Sequence, residues 1–286
     1  MTPKEINERL GGDAHAGYFL APCPICQPEG RRDQRGLSIG QGDDRLLLHC
    51  HKSNCGFTDL LAALGISGDR VEVDRAELEM AKAERVAQSR AKLDKAKAKW
   101  RAALPIHGTP GERYLRARGI TCELPKTLRW LPGEFHPHSG GPADAMVALI
   151  EPTGAIHRTF FDQQGKRLTN GAKLMLGPCR GGAVRLSQGA GPLVVCEGLE
   201  TGLSLLSGLL NGPTTVWAAL STSGMKSIDL PSAPGELNVA VDGDAPGRAA
   251  GFDLMQRAAG LGWRVSHLTP PNGQDWNDVL MGEVAA

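Results

Sequence analysis

No apolar run in the 286-residue chain approaches the roughly 18 uninterrupted residues of a membrane helix. The opening Met1-Thr-Pro-Lys-Glu lacks the apolar segment of a secretory leader. Neither a membrane role nor export is therefore expected, and the expected setting is cytoplasmic. An excess of one charge is missing too. With 32 Lys and Arg against 31 Asp and Glu, bulk charge does not announce a nucleic-acid binder, and any such partner has to meet a local basic surface. The seven cysteines are an odd number in a chain too long for a small disulfide scaffold. They point instead to a reduced protein with metal-binding thiolates. The length allows two domains and a small third.

Four of those cysteines are paired in sequence. Cys23-Pro-Ile-Cys26 is followed by 23 residues and then by Cys50-His-Lys-Ser-Asn-Cys55-Gly. Two turns that each offer a pair of thiolates close a tetrahedral zinc site, and such a site folds a region with little core of its own. Gly36-Leu-Ser-Ile-Gly and Arg45-Leu-Leu-Leu-His49 read as strands of a ribbon between the turns. The second turn has four residues between its cysteines where two are usual, so His49 or His51 is an alternative to Cys50 as a ligand. Arg31, Arg32 and Arg35 lie in the intervening loop, either as phosphate contacts or as solvated charges.

From Arg70 to about Leu104 the chain has no Gly or Pro and is rich in Ala, Glu, Lys and Arg, a helical composition. Acidic residues lead (Glu72, Asp74, Glu77, Glu79) and basic ones finish (Lys92, Lys95, Lys97, Lys99, Arg101), the order the helix dipole favours. Apolar positions are too sparse for a coiled-coil seam. The segment is read as a solvated connecting helix rather than as a basic strip on nucleic acid.

Gly111 to Ile120 reads as a short helix closed by Gly119. Residues 143–186 alternate apolar and polar groups between turn signals, with Ala145–Ile150 and Ala155–Phe160 forming a hairpin. Arg158, Lys166, Arg167, Lys173 and Arg180 accumulate on its later half.

The last third carries the chemistry. Leu193-Val-Val-Cys and Leu237-Asn-Val-Ala-Val are short apolar runs that stop abruptly at Glu197-Gly and at Asp242-Gly-Asp244, each followed by a plausible helix. That is the grammar of a parallel sheet, and in open α/β sheets ligands sit beyond the carboxyl ends of the strands. Glu197, Asp242 and Asp244 all fall at such ends. Gathered in one crevice, three carboxylates repel one another unless cations neutralise them, and hard oxygen donors suit Mg²⁺ or Mn²⁺. Asp-Gly-Asp is also the composition of a tight turn. A third polar cluster follows at Gln274-Asp275-Trp276-Asn277-Asp278.

The E-G run, the D-G-D-x-x-G-R-A-A run and the D-W-N-D run, in this order, resemble the Toprim domain of bacterial, phage and plasmid DNA primases. The C-P-x-C opening, the His-Cys entry to the second turn and Gly-Phe-Thr-Asp-Leu-Leu after it are similar to the primase zinc-binding domain. Tyr114-Leu-x-x-Arg-Gly-Ile recurs in phage and plasmid primases.

The resemblance implies an α/β protein: a zinc ribbon (1–69), a helical linker (70–104), the first part of a primase core (105–190) and a Toprim domain (191–286). It implies an RNA primase that makes short primers on single-stranded DNA by metal-dependent nucleotidyl transfer. Zinc would be held by Cys23, Cys26, Cys50 and Cys55, and Mg²⁺ or Mn²⁺ by Asp242 and Asp244 with Glu197. Asp275 and Asp278 are further acidic candidates. Arg158, Lys173 and Arg248 are expected to face nucleoside triphosphates or template. Gln274 departs from the Lys that many relatives carry at this spot. Because the sequence stops at Ala286 after the last Toprim element, a replicative helicase is expected as a separate partner. Two rivals share parts of this pattern: non-catalytic recombination mediators, which join a cysteine zinc site to a Toprim fold, and Toprim nucleases.

Overall fold

The computed structural model describes residues 1–15, 17–31, 33–42, 45–66, 75–271 and 273–285. Arg32, Glu72 and Asp74, named above, lie outside them, and so does the side chain of Glu77. The chain divides into two compact units, Met1–Arg90 and Ala91–Ala286.

In the first unit, α1 (Pro3–Leu10) starts at a reciprocal cap: the Glu5 amide donates to the Thr2 hydroxyl, and the Thr2 amide donates to the Glu5 carboxylate. Strands β1 (Asp13–His15), β2 (Tyr18–Ala21), β3 (Leu37–Gln41) and β4 (Leu46–Cys50) form one antiparallel sheet in that order, and α2 (Phe57–Ala63) follows. Only a small core supports them, made of Ile6, Leu37, Ile39, Leu46 and Leu60 beside Cys23 and Cys50. Helix α3 (Arg75–Ala102) then runs on into the second unit.

The second unit has two five-stranded sheets. The first is antiparallel, ordered β5 (Leu104–Pro105), β6 (Leu128–His136), β7 (Gly141–Ile150), β8 (Ala155–Phe161) and β9 (Lys173–Leu176). Helix α4 (Pro110–Ala117) lies between β5 and β6 in sequence. The hairpin pairs Ile150 with Ala155 and Ala145 with Phe160. Every residue of β8 is buried, because its two faces are both covered.

One face of this antiparallel sheet packs on the end of α3. Ala96 is fully buried against Val147, Ile156 and Phe160, with Trp100 beside them. The Arg129 guanidinium lies 4.3 Å from the Trp100 ring centroid and donates to the Trp100 carbonyl. This part of the helix is therefore not the solvated connector read from its composition. One alanine and one tryptophan, four residues apart, form a stripe too narrow to register as amphipathic.

The second sheet is ordered β10 (Val184–Ser187), β12 (Thr215–Ala218), β11 (Leu193–Cys196), β13 (Glu236–Ala240) and β14 (Arg264–Leu268). All its pairings are parallel except β10 with β12. Alternation along β11 explains its uninterrupted apolar run. Val194 and Cys196 enter a core shared with Met146, Ile150 and Phe161. Leu193 and Val195 enter another with Val239, Val241 and Leu254. Helix α5 (Leu199–Ser204) follows β11 and continues as a wider turn over Leu205–Leu209. Helices α6 (Thr222–Ser227), α7 (Ala245–Gly260) and α8 (Trp276–Ala285) complete the unit.

Candidate functional site

The N-terminal unit brings the Sγ atoms of Cys23, Cys26, Cys50 and Cys55 within 4.8 Å of one another, the only such group of three or more metal-binding side chains among the described residues. Cys23 to Cys55 is 3.8 Å and Cys26 to Cys50 is 3.5 Å. A tetrahedron with Zn–S bonds of about 2.3 Å has edges of about 3.8 Å, so the four sulfurs fit zinc.

The long second turn closes because Asn54 takes a left-handed conformation, φ 50°, which asparagine tolerates. Burial raises the Cys50 thiol, but amides from Ser53, Cys55 and Lys52 outweigh it and bring it down to about 6. Burial and the neighbouring sulfurs push Cys55 up to about 12. A tetrahedral cation is what lets all four act as thiolates together. His49 and His51 lie outside the cluster; both are exposed, and their rings pack edge-on 4.5 Å apart. The ligand set is therefore the four cysteines.

The carboxylates gather at the carboxyl edge of the parallel sheet. Glu197 directly follows β11, Asp242 follows β13 by two residues, and Asp244 caps α7 by accepting from the Gly247 amide at 2.7 Å. A methyl group on Gly247 would lie 2.7 Å from Asp244 Oδ1 and 3.5 Å from both the Asp242 carbonyl oxygen and Glu197 Oε2. One bare backbone position thus borders all three residues.

Burial, then the charges of Asp242 and Asp244, raises the Glu197 carboxyl. Burial, with Asp275 and Asp244, likewise raises Asp242, against the pull of the Thr201 hydroxyl that donates to it at 3.3 Å. Carboxylates that repel one another in a half-buried edge are the donor set a hard divalent cation neutralises. Mg²⁺ typically takes one or two of them and keeps several waters.

Lys173 stands opposite. Its ammonium donates to Glu200 at 2.9 Å and lowers Glu197 and Asp242 as well. Glu200, 7% exposed, also accepts from the Tyr114 hydroxyl at 3.2 Å. Burial pushes the Glu200 carboxyl up, and Lys173 overrides it to about 2. Burial and the Lys173 charge bring His157 down to about 4, so it is neutral. Its Nδ1 has no partner among the described residues.

Glu200 contributes stability in full above its ordinary 4.5 and loses it as pH falls toward about 2. Replacing it with alanine at neutral pH is expected to cost about 2 kcal/mol, since the Tyr114 hydroxyl and the Lys173 ammonium both lose their partner, while Lys173, being exposed, regains water. Glutamine, which still accepts from Tyr114, should cost less. Denaturant melts of both variants check the order.

Arg158 does not reach this site. Register pairs Thr159 with Lys173 and Arg158 with Leu174, so Arg158 points to the opposite face. There it binds Glu134 at 2.8 Å, beside Lys99. Because both faces of β8 are buried, the sequence could not say which side Arg158 takes. Arg248 donates to the Gly243 carbonyl and braces the Asp-Gly-Asp loop.

Asp275 and Asp278 cap α8: Asp275 Oδ1 accepts from the amides of Asn277 and Asp278, and Asp278 Oδ2 accepts from the Asp275 amide. Asp275 also adds negative charge near Asp242. The rest of the D-W-N-D run holds the site in place. The Trp276 indole donates to the Val241 carbonyl, one residue before Asp242, and buried Asn277 donates to the Arg118 carbonyl and to Ser204 Oγ.

Sequence reading gave no role to Glu200, Thr201, Tyr114 or His157. Glu200 and Thr201 lie three and four residues after Glu197 in sequence, whereas Tyr114 arrives from 86 residues away. At the corner after β12, Leu220 has φ 71°, a left-handed conformation that costs a non-glycine residue about 1–3 kcal/mol. Its amide donates to the Glu197 carbonyl at 2.7 Å.

Residues 90–186 match a family model described as a domain of unknown function (DUF7146), and residues 192–286 match the Toprim domain model. A comparison with curated proteins finds no match. Among solved structures the chain is similar to the zinc-binding and RNA polymerase domains of Aquifex aeolicus primase, at 14% identity over 98% of this chain and 79% of that one, with a TM-score of 0.44. It is similar to the RNA polymerase domain of Mycobacterium tuberculosis primase at 15% identity, covering 70% and 81%, with a TM-score of 0.38. It is also similar to a DNA primase domain from Pseudomonas aeruginosa at 15% identity, covering 61% and 56%, with a TM-score of 0.32. Residues 192–286, with their carboxylates on the edge of a parallel sheet, form a Toprim domain.

Proposed function

We propose that the chain is a DNA-dependent RNA primase: it joins ribonucleotides into short primers on single-stranded DNA. The observation that carries this reading is the convergence of Glu197, Asp242 and Asp244 beside Lys173 in a domain matching the Toprim model. Asp242 and Asp244 would hold Mg²⁺ or Mn²⁺ with Glu197 beside them. When bound, the cation neutralises phosphate charge and lowers the pKa of an attacking hydroxyl. Lys173 supplies a cation for the phosphates and is held on the site's rim by Glu200. Glu197, raised above the usual carboxylate range by burial and the neighbouring Asp242 and Asp244, is placed to exchange a proton with the reacting groups. Thr201 orients Asp242.

Template binding falls to the zinc ribbon. A groove of about 910 Å³ runs over its sheet, lined by Tyr18, Phe57, His49, His51, Arg35 and Arg45 among others. Aromatic faces and cations in one groove suit the stacked bases and backbone of a single strand. Arg35 is shared with Asp13 at 2.6 Å. No helix among the described residues is long and apolar enough to cross a membrane. A separate helicase remains part of the proposed setting.

The test is incubation of the full chain with mixed-sequence single-stranded DNA, labelled ribonucleoside triphosphates and Mg²⁺ or Mn²⁺. Short template-dependent oligonucleotides are expected. Degradation of the DNA in their place would assign the carboxylates to a nuclease, and binding without either reaction would leave a DNA-binding protein.

A further inference from the structure

A cavity of about 330 Å³ opens between the last strand of the antiparallel sheet and the corner after β12. Neither metal centre includes its walls. Met175, Cys179 and Leu220 form apolar surface, while Ser221, Ser223 and Arg180 supply hydroxyls and one guanidinium.

Two links join it to the carboxylates. The backbone of Thr222, between the two serines, acts to lower the Glu197 carboxyl, and the Leu220 amide donates to the Glu197 carbonyl. On the other wall, Met175 follows Lys173 by two residues along β9, so it lies on the same strand face about 7 Å away.

Among the described residues Arg180 has no hydrogen-bond or ion-pair partner. It also borders an adjoining hollow with Lys226 and Arg257. Arg257 is committed to the Ile228 carbonyl and Lys226 to Asp253, which leaves Arg180 as the cation available to a ligand.

We propose that this cavity receives the nucleoside end of a nucleoside triphosphate whose phosphates lie at Lys173 and the carboxylates. The inference rests on the polymerase reading and adds where the substrate's base and sugar go. A heterocycle is flat and largely apolar on its faces, with polar groups at its edge. Apolar walls rimmed by a few hydroxyls match that division, and the volume is in the range of small-ligand sites. An aliphatic ligand would strip water from the serines and from Arg180 without replacing it.

Ser223 is the probe position. It is exposed, and its side chain bonds only the neighbouring Ser221 hydroxyl at 3.0 Å, so Ser223→Trp fills the mouth without entering a core. With the zinc-loaded full chain, the variant is expected to raise the KM for ribonucleoside triphosphates about tenfold with kcat little changed.

A second readout needs no turnover. Cys179 is half-buried in the wall and its thiol is raised by burial. Its alkylation by a maleimide at mildly alkaline pH, followed by peptide mass spectrometry, should be slowed several-fold by ATP or GTP and not by inorganic tripolyphosphate. Synthesis with an unchanged KM in Ser223→Trp and unprotected Cys179 would overturn the cavity assignment and leave the primase reading standing. Protection without synthesis would keep the cavity as a nucleotide site and remove the primase reading. Absence of both would remove both. Equal protection by tripolyphosphate would assign the cavity to phosphate alone and contradict the proposal.

Discussion

Asparagine in place of Asp242 is expected to reduce primer synthesis by about 10³-fold or more and, without divalent cations, to leave the protein at least as heat-stable as before. The second half of that result follows from the signs of the shifts. Asp242 and Glu197 are both raised above their ordinary 3.8 and 4.5. The stability such groups contribute is fully present below those ordinary values and is lost as pH rises through the higher folded ones. At neutral pH the folded protein therefore carries unfavourable charge that Asp242→Asn relieves with the same side-chain shape. Mg²⁺ should raise the thermal midpoint of the wild type by binding the folded state and leave that of the variant in place. Thermal melts with and without Mg²⁺, run beside the synthesis assay, check both halves. Retained synthesis would show that Asp242 is not catalytic. A variant that melts well below the wild type would show that the carboxylate stabilises the fold.

Serine in place of Cys26 has the other large effect. The first unit rests on a small apolar cluster with Cys23 and Cys50 inside it, and a structural zinc site contributes about 10–16 kcal/mol of apparent binding free energy to such a module. Cys26→Ser is expected to lose zinc from one per chain to nearly none, to unfold the ribbon, and to abolish template-directed synthesis. Metal analysis with limited proteolysis reads this out. Proteolysis should cut within Met1–Arg90 and spare Ala91–Ala286. Zinc retained at full stoichiometry would show the ligand set to be wrong.

What could be read from the sequence was whatever depends on neighbours along the chain. Leu193–Cys196 and Leu237–Val241 are legible as interior parallel strands because both of their faces are covered, and the carboxylates stand out as the first polar groups after them. The cysteine pairs are legible because a metal site imposes spacing. Contacts between distant segments were not legible. Tyr114 meets Glu200 across 86 residues, and Asn277 meets the Arg118 carbonyl across 159. Buried on both faces, β8 gives no sign that His157 and Arg158 look opposite ways. The D-W-N-D run reads as an acidic cluster, yet its two aspartates cap a helix, Trp276 fastens that helix to the strand end that carries Asp242, and Asn277 fastens it to the Arg118 carbonyl and to Ser204. Composition alone also hides the docking of α3, which rests on Ala96 and Trp100.

Asp242 and Asp244, with Glu197 beside them, are proposed to hold a divalent cation near Lys173. Titration of Mn²⁺ into the zinc-loaded full chain, followed by electron paramagnetic resonance in the presence of a ribonucleoside triphosphate, tests it most directly. Saturable binding is expected, lost in Asp242→Asn and weakened in Glu197→Gln. Binding of the same strength in all three proteins would place the cation elsewhere and remove these carboxylates from the metal site.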